Sequence, residues 1–237
     1  MAAVIAALCR HGVYAQPADT PSAHLLYPLT PEGEAQAAAL GQELRALAQQ
    51  HGWRIHPVID SSPLQRAYQT ASIAARALSQ AAGAGSFEVQ EYDALMERSV
   101  GAAANLTVSQ IEALVTQDPR YGTPPPKWKS TSAYRLPFPG AESLLEAGKR
   151  CAAHLRARSE ALRASGGETI LKVFVGHGAA FRHAAAALGA MPLTDVAKLS
   201  MHYARPVCLA VPERGAAQEA WSSAAGEWKK RSREAID

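Results

Sequence analysis

The sequence predicts an α/β fold: three layers, with helices on both faces of a mainly parallel sheet. Three observations point there. Apolar runs at 4–9 and 169–175 read as buried strands, and each ends at a polar turn containing histidine and glycine. Segments with leucine or alanine at helical spacing alternate with these and other short strand patterns. Finally, the 237 residues are 48% hydrophobic and 19% charged, enough for one sizeable core, so a single domain over 1–237 is expected.

The elements follow in order. Residues 4–9 form the first strand and deliver Arg10, His11 and Gly12 to its end. The stretch 13–29 holds Pro17, Pro21 and Pro28 and reads as a loop above that strand end. Thr30 as N-cap, Pro31 at the first helical position and Glu32 open a helix whose stripe is Leu40, Leu44 and Leu47, closed by Gly52. A strand at 57–60 leads through Ser61, Ser62 and Pro63, read as cap and turn, into a helix carrying Arg66 near its start and ending around 81–85. Alternation predicts a strand at 87–90.

Thr107 and Gln110 have capping-box spacing for a short helix through Ile111, Leu114 and Val115. Six prolines among Trp128, Tyr121 and Tyr134 make 118–139 an ordered lid-like insertion, with a disordered linker as the competing reading that its aromatics weigh against. An amphipathic helix spans 142–164 and ends near Gly166 and Gly167. After the strand at 169–175 comes Gly176, His177, Gly178 and an alanine-rich helix to Gly189, then a strand at 206–211. An edge element is expected around 221–228, before a solvated basic tail at 229–233.

Composition excludes several classes. The net charge of +3 is spread along the chain, which argues against nucleic-acid binding, and no run reaches membrane-spanning length. Cys9, Cys151 and Cys208 are few and odd in number, as expected of reduced thiols in a cytoplasmic protein. The start lacks the basic segment of a secretory signal, so the acceptor pattern at Asn105 is read as unused. His51, His56, His154 and His183 lack metal-ligand spacing, and neither metal nor cofactor is expected.

Arg10 and His11, Arg66, Glu97 and His177 each follow a different predicted strand, at the sheet end where open α/β folds bind ligands. Two arginines suit a phosphoryl group, through bidentate charge-assisted hydrogen bonds. Two histidines and a carboxylate add a nucleophile, an electrostatic partner and a proton donor. Glu91 and Asp93 remain competitors for the acid role, and Glu97 has a bland alternative as the ion partner of Arg98.

On these motifs the chain resembles the histidine phosphatase superfamily, the phosphoglycerate-mutase-like proteins. Residues 8–12 match the family's opening motif, 61–71 its second-arginine motif, 95–101 its acid motif and 175–178 its second-histidine motif. Residues 139–143 are similar to its Gly-Glu-Ser turn with Ala141 inserted. The resemblance implies a phosphoglycerate-mutase-like sheet and a phosphohistidine on His11. It also implies that Arg10, Arg66 and His177 hold phosphoryl oxygens, with Glu97 as the proton donor and later the base.

Val13, Tyr14 and Ala15 follow Gly12 where the mutases carry a Glu-Ser-x-Trp-Asn pattern, and Ala179 and Ala180 stand where mutases place asparagine. Hydrolysis of a small phosphomonoester is therefore the first expectation. Mutase-type transfer and a catalytically silent phosphate-binding scaffold are the alternatives, and a homo-oligomer is allowed. Tyr14, in an aromatic rim, and Arg205, just before a predicted strand, are candidate substrate contacts. Cys208 and Arg214 have the spacing of the cysteine-phosphatase loop, but Pro212 lacks a donor and Glu213 adds negative charge, so Cys208 is read as a strand residue.

Overall fold

The computed structural model describes residues 3–80, 85–163, 167–213 and 219–231. At its centre runs β1 (Val4–Arg10), whose side chains are buried until Arg10. It pairs in parallel with β5 (Ile170–Gly176), Arg10 lying opposite Gly176, so the two histidine-bearing turns leave the sheet side by side. On β5's far side lie β3 (Val58–Ser61) and then β4 (Glu88–Glu91), both parallel, with the two-residue β2 (Arg54–Ile55) also on β5. Antiparallel β7 (Pro206–Ala210) and β8 (Ser222–Ala225) complete a seven-stranded sheet on the other side of β1.

Strand alternation sorts the core onto two faces. Ile5, Ala7 and Cys9 of β1, with Leu171, Val173 and Val175 of β5, pack beneath α1 (Pro31–His51) and α2 (Gln65–Ser79). Ala6, Leu8 and Phe174 face α4 (Leu144–Leu162) and α5 (Gly178–Ala187). Leu40 and Leu44 of α1 are fully buried, each contributing roughly 1.5–3 kcal/mol of transfer free energy. Capping follows the sequence: Thr30 accepts from the Gly33 N–H, Gly52 closes α1 at φ 67°, and Thr107 with Gln110 caps α3 (Val108–Gln117). In α4, Ser143 and Glu146 form the capping box, so the helix begins after Glu142, which instead pairs with Arg150.

The interior also holds charge. Asp60 on β3 accepts from Lys172 on β5 and from Arg158 and His154 on α4, so the buried carboxylate is fully compensated. Residues 118–139 pack through Trp128 and Leu136 against Ile111 and Val115 of α3, while Leu114 of that helix is exposed rather than part of its stripe.

Other differences from the sequence reading have local causes. Leu64, which has no acceptor in its side chain, is the N-cap of α2; Ser61 Oγ donates to the Ser62 carbonyl, and Ser62 Oγ accepts from the Leu64 N–H while facing His177. Lys229 and Lys230 are exposed, as a solvated tail requires, but their backbone forms β9 against β6 (Leu199–Ser200), a pairing that their polarity does not signal. The expected end of α2 at 81–84, Gly166, Arg214 and residues 232–233 lie outside the described residues. Among the described residues no helix is long and apolar enough to cross a membrane.

Candidate active site

The carboxyl ends of β1, β3 and β5 meet in one crevice. His11 follows β1, and its backbone N–H donates to the Gly176 carbonyl of β5. Its Nδ1 lies 2.8 Å from the Gly12 carbonyl, which can only accept. The ring proton is therefore on Nδ1, and Nε2 presents its lone pair. Burial, then the charges of Arg66 and Arg10, push the His11 pKa well down, so the imidazole is neutral. Gly12 is required here: a Cβ would sit 2.5 Å from the Gly33 carbonyl oxygen at the start of α1.

Arg66 comes from the first turn of α2 and is fully buried. Its Nε donates to His11 Nε2 at 3.2 Å, Nη1 to the Leu25 carbonyl, and Nη2 to the Ala23 carbonyl and to His177 Nδ1. An arginine only donates, so His177 Nδ1 is bare and its Nε2–H points to Ser62 Oγ at 2.9 Å. Burial, followed by the charges around it, keeps His177 neutral as well. Of the two serines before α2, Ser62 thus orients a histidine as well as bonding the start of the helix.

Arg10 reaches in from the opposite side. Nη1 donates to the Met201 carbonyl, Nη2 to Tyr203 Oη, and the guanidinium stacks 3.9 Å over the Tyr203 ring. Its Nε is buried and has no hydrogen-bond partner among the described residues, an unused donor at the cavity wall. Gly178 leaves room for this side chain, since a Cβ there would lie 3.2 Å from Arg10 Cδ. Glu97 sits across the cavity, its Oε1 accepting from the backbone N–H groups of Arg98 and Ala180, its Oε2 from Ala179 at 3.3 Å. The first turn of α5 therefore holds the Glu97 carboxyl group, and Oε2, with a single long bond, is the oxygen left to carry a proton.

The structure brings Arg10, His11, Arg66, Glu97 and His177 together. The cavity walls include Arg10, His11 and Glu97, whereas Arg66 and His177 lie outside the lining and act on it through His11 and each other. Tyr14 does not form a rim: it is buried, edge-on to His11 with ring centroids 5.2 Å apart, and Arg66 stacks on its face. Arg205 is placed elsewhere. Ala204 turns the chain at φ 45°, sending Arg205 toward Glu43 of α1 while Tyr203 reaches Arg10. Sequence reasoning missed Tyr203, two residues from Arg205, which holds Arg10, and also Arg98, Lys129, Ser132 and His183, four residues that line the cavity. The aromatic in the segment just before β7 was the only available signal for Tyr203. Glu91 and Asp93 stay with β4 and the turn after it, away from the cavity lining.

Paired histidines and arginines with a carboxylate at the carboxyl end of a parallel sheet define a site for phosphoryl transfer. The family model of the histidine phosphatase superfamily (branch 1) matches residues 6–224, and the chain belongs to that family. No curated protein matches the sequence. Solved structures share the fold at low identity. A mycobacterial hydrolase (mycobacterial hydrolase 2) is 20% identical, with TM-score 0.69 over 99% of this chain and 94% of its own. Mycobacterial glucosyl-3-phosphoglycerate phosphatase is 20% identical, with TM-score 0.67 over 98% and 100%. A phosphoglycerate mutase from Bacillus anthracis is 18% identical, with TM-score 0.67 over 95% and 93%.

Proposed function

We propose that the protein hydrolyses phosphomonoesters through a phosphohistidine on His11. One observation carries this reading: a neutral imidazole whose Nδ1–H is tied to the Gly12 carbonyl, facing a cavity that also holds a spare Arg10 donor and the Glu97 carboxyl group. In the first step the His11 Nε2 lone pair attacks phosphorus, the ester P–O bond breaks, and the leaving oxygen takes the Glu97 proton. Arg66 Nε, hydrogen-bonded to that lone pair beforehand, transfers its donation to a phosphoryl oxygen as the N–P bond forms. Arg10 Nε takes another oxygen, and His177 keeps the Arg66 guanidinium in place.

In the second step water gives its proton to the Glu97 carboxylate and attacks phosphorus, and the P–N electron pair returns to Nε2. Hydrolysis is preferred to mutase transfer because Val13, Tyr14 and Ala15 replace the polar mutase pattern, and Tyr14 is buried against His11 rather than offered to a second substrate group. The test is phosphate release from a panel of phosphomonoesters, with chelator present, by the wild type and His11→Ala. Release by the wild type with an acid-labile phosphoenzyme is expected, and none from His11→Ala. Equal release by both would remove His11 from the chemistry, and transfer to an added alcohol in preference to water would favour the mutase reading.

A further inference from the structure

His183 has no part in the five-residue centre, yet its ring is held at both nitrogens, like those of His11 and His177. It is buried one turn after Ala179 in α5, and α4 leaves a place for it, since a Cβ on Gly148 would stand 2.4 Å from the His183 Cβ. Its Nδ1 is 2.8 Å from the Ala179 carbonyl, which can only accept, so the ring proton is on Nδ1. Burial lowers the pKa of the ring, which keeps it neutral and leaves Nε2 bare. Nε2 therefore accepts from Ser132 Oγ at 3.0 Å. Ser132 belongs to the 118–139 insertion, and its carbonyl accepts from the Leu145 N–H at the start of α4, so the hydroxyl is delivered from a pinned backbone.

These bonds continue toward the acid. The Ala179 carbonyl and the Ala180 N–H are the two ends of one peptide unit, and that N–H donates to Glu97 Oε1 at 3.1 Å. The order is thus Ser132 O–H to His183 Nε2, His183 Nδ1–H to the Ala179 carbonyl, and Ala180 N–H to the Glu97 carboxyl group, every donor pointing the same way. Aligned hydrogen bonds polarise one another, so each donation upstream makes the last N–H a better donor. As Glu97 gives up its proton, negative charge appears on its oxygens, and that N–H is already aimed at one of them. We propose that Ser132 and His183 are positioning residues for the proton-donating step, acting on Glu97 through the Ala179–Ala180 peptide. The inference rests on the hydrolase reading and on the acid role of Glu97 within it. It adds that the insertion takes part in the chemistry through one hydroxyl group.

The experiment measures kcat/KM for ethyl phosphate, whose leaving alkoxide needs the Glu97 proton, and for p-nitrophenyl phosphate, whose leaving group does not. His183→Leu, which removes both side-chain bonds, should lower the alkyl-to-aryl ratio about 2- to 10-fold, the worth of one hydrogen bond. His183→Asn, which keeps an N–H beside the Ala179 carbonyl, should recover part of that ratio. Ser132→Ala should give a smaller fall of the same kind, and Ser132→Thr, which keeps the hydroxyl, should not. On a Glu97→Gln background, where there is no proton to give, His183→Leu should lower ethyl phosphate turnover no further. Equal losses on the two esters would make Ser132 and His183 packing residues, no loss on either would make the chain of bonds idle, and an additive loss on the Glu97→Gln background would place their effect elsewhere; each result overturns the proposal. If His183→Leu does not fold, the Ser132 variants decide, since that residue is half-buried in a loop. Failure of these variants alone leaves the hydrolase reading standing. Absence of His11-dependent release from every ester overturns that reading and the inference with it.

Discussion

Glu97→Gln separates the two half-reactions assigned to one carboxyl group. The side chain keeps its shape and loses its transferable proton. Its amide oxygen can replace Oε1 and accept from Arg98 and Ala180, while the new NH₂ faces the Ala179 N–H where Oε2 accepted at 3.3 Å. Losing one long hydrogen bond there costs about 1 kcal/mol of stability, so the variant folds. With an alkyl ester the leaving alkoxide has no proton donor, and turnover should fall by about 10²- to 10⁴-fold, equivalent to roughly 2.7–5.5 kcal/mol on the barrier. An aryl ester such as p-nitrophenyl phosphate leaves without needing that proton. Its first step should survive while the hydrolytic step loses its base, giving a rapid burst of nitrophenol equal to the enzyme concentration, then a slow steady state. Stopped-flow absorbance with the two ester classes measures this. Alkyl and aryl turnover falling by one common factor, without a burst, would refute the double role of Glu97.

Two further predictions concern stability. His11 and His177 are held neutral, chiefly by desolvation and then by Arg66, so each has a folded pKa below its unfolded value. As pH falls below about 6.5 the unfolded chain binds protons that the folded chain refuses, and stability should drop by about 2.7 kcal/mol per pH unit from the two groups together. Urea midpoints from neutral to mildly acidic pH test this, and a flat profile there would contradict the neutral assignment. Gly148→Ala would place a methyl 2.4 Å from the His183 Cβ, forcing α4 from α5, and should cost about 1–3 kcal/mol, read as a lowered midpoint with unchanged denaturant slope.

The residues gathered in the crevice were legible because parallel strands all point one way. Arg10, His11 and His177 follow apolar runs, and Arg66 opens the helix after another, so strand direction alone sends them to one edge. Arg98 was not legible because a glutamate and an arginine side by side in sequence read as an ion pair. In the fold Glu97 turns to the first turn of α5 and Arg98 to Trp128, so chain neighbours serve different partners. Arg205 was misread for a related reason: the left-handed turn at Ala204 exchanges the directions of the residues on either side, a backbone detail that composition does not encode. Short strands such as β2 and β6 escaped because two residues carry no periodicity.

All three cysteines are buried, and burial raises their thiol pKa values, Cys151 and Cys208 to about 12 and Cys9 also well above the usual range. Thiolate, the form that peroxides and alkylating reagents attack, is therefore scarce in the folded protein. Because the proposed nucleophile is an imidazole, and no cysteine is among the described residues lining the crevice, the thiol oxidation that silences cysteine-dependent phosphatases has no counterpart at the proposed site. The proposed activity is therefore expected to survive a peroxide treatment that abolishes a cysteine-dependent phosphatase, read as unchanged phosphate release.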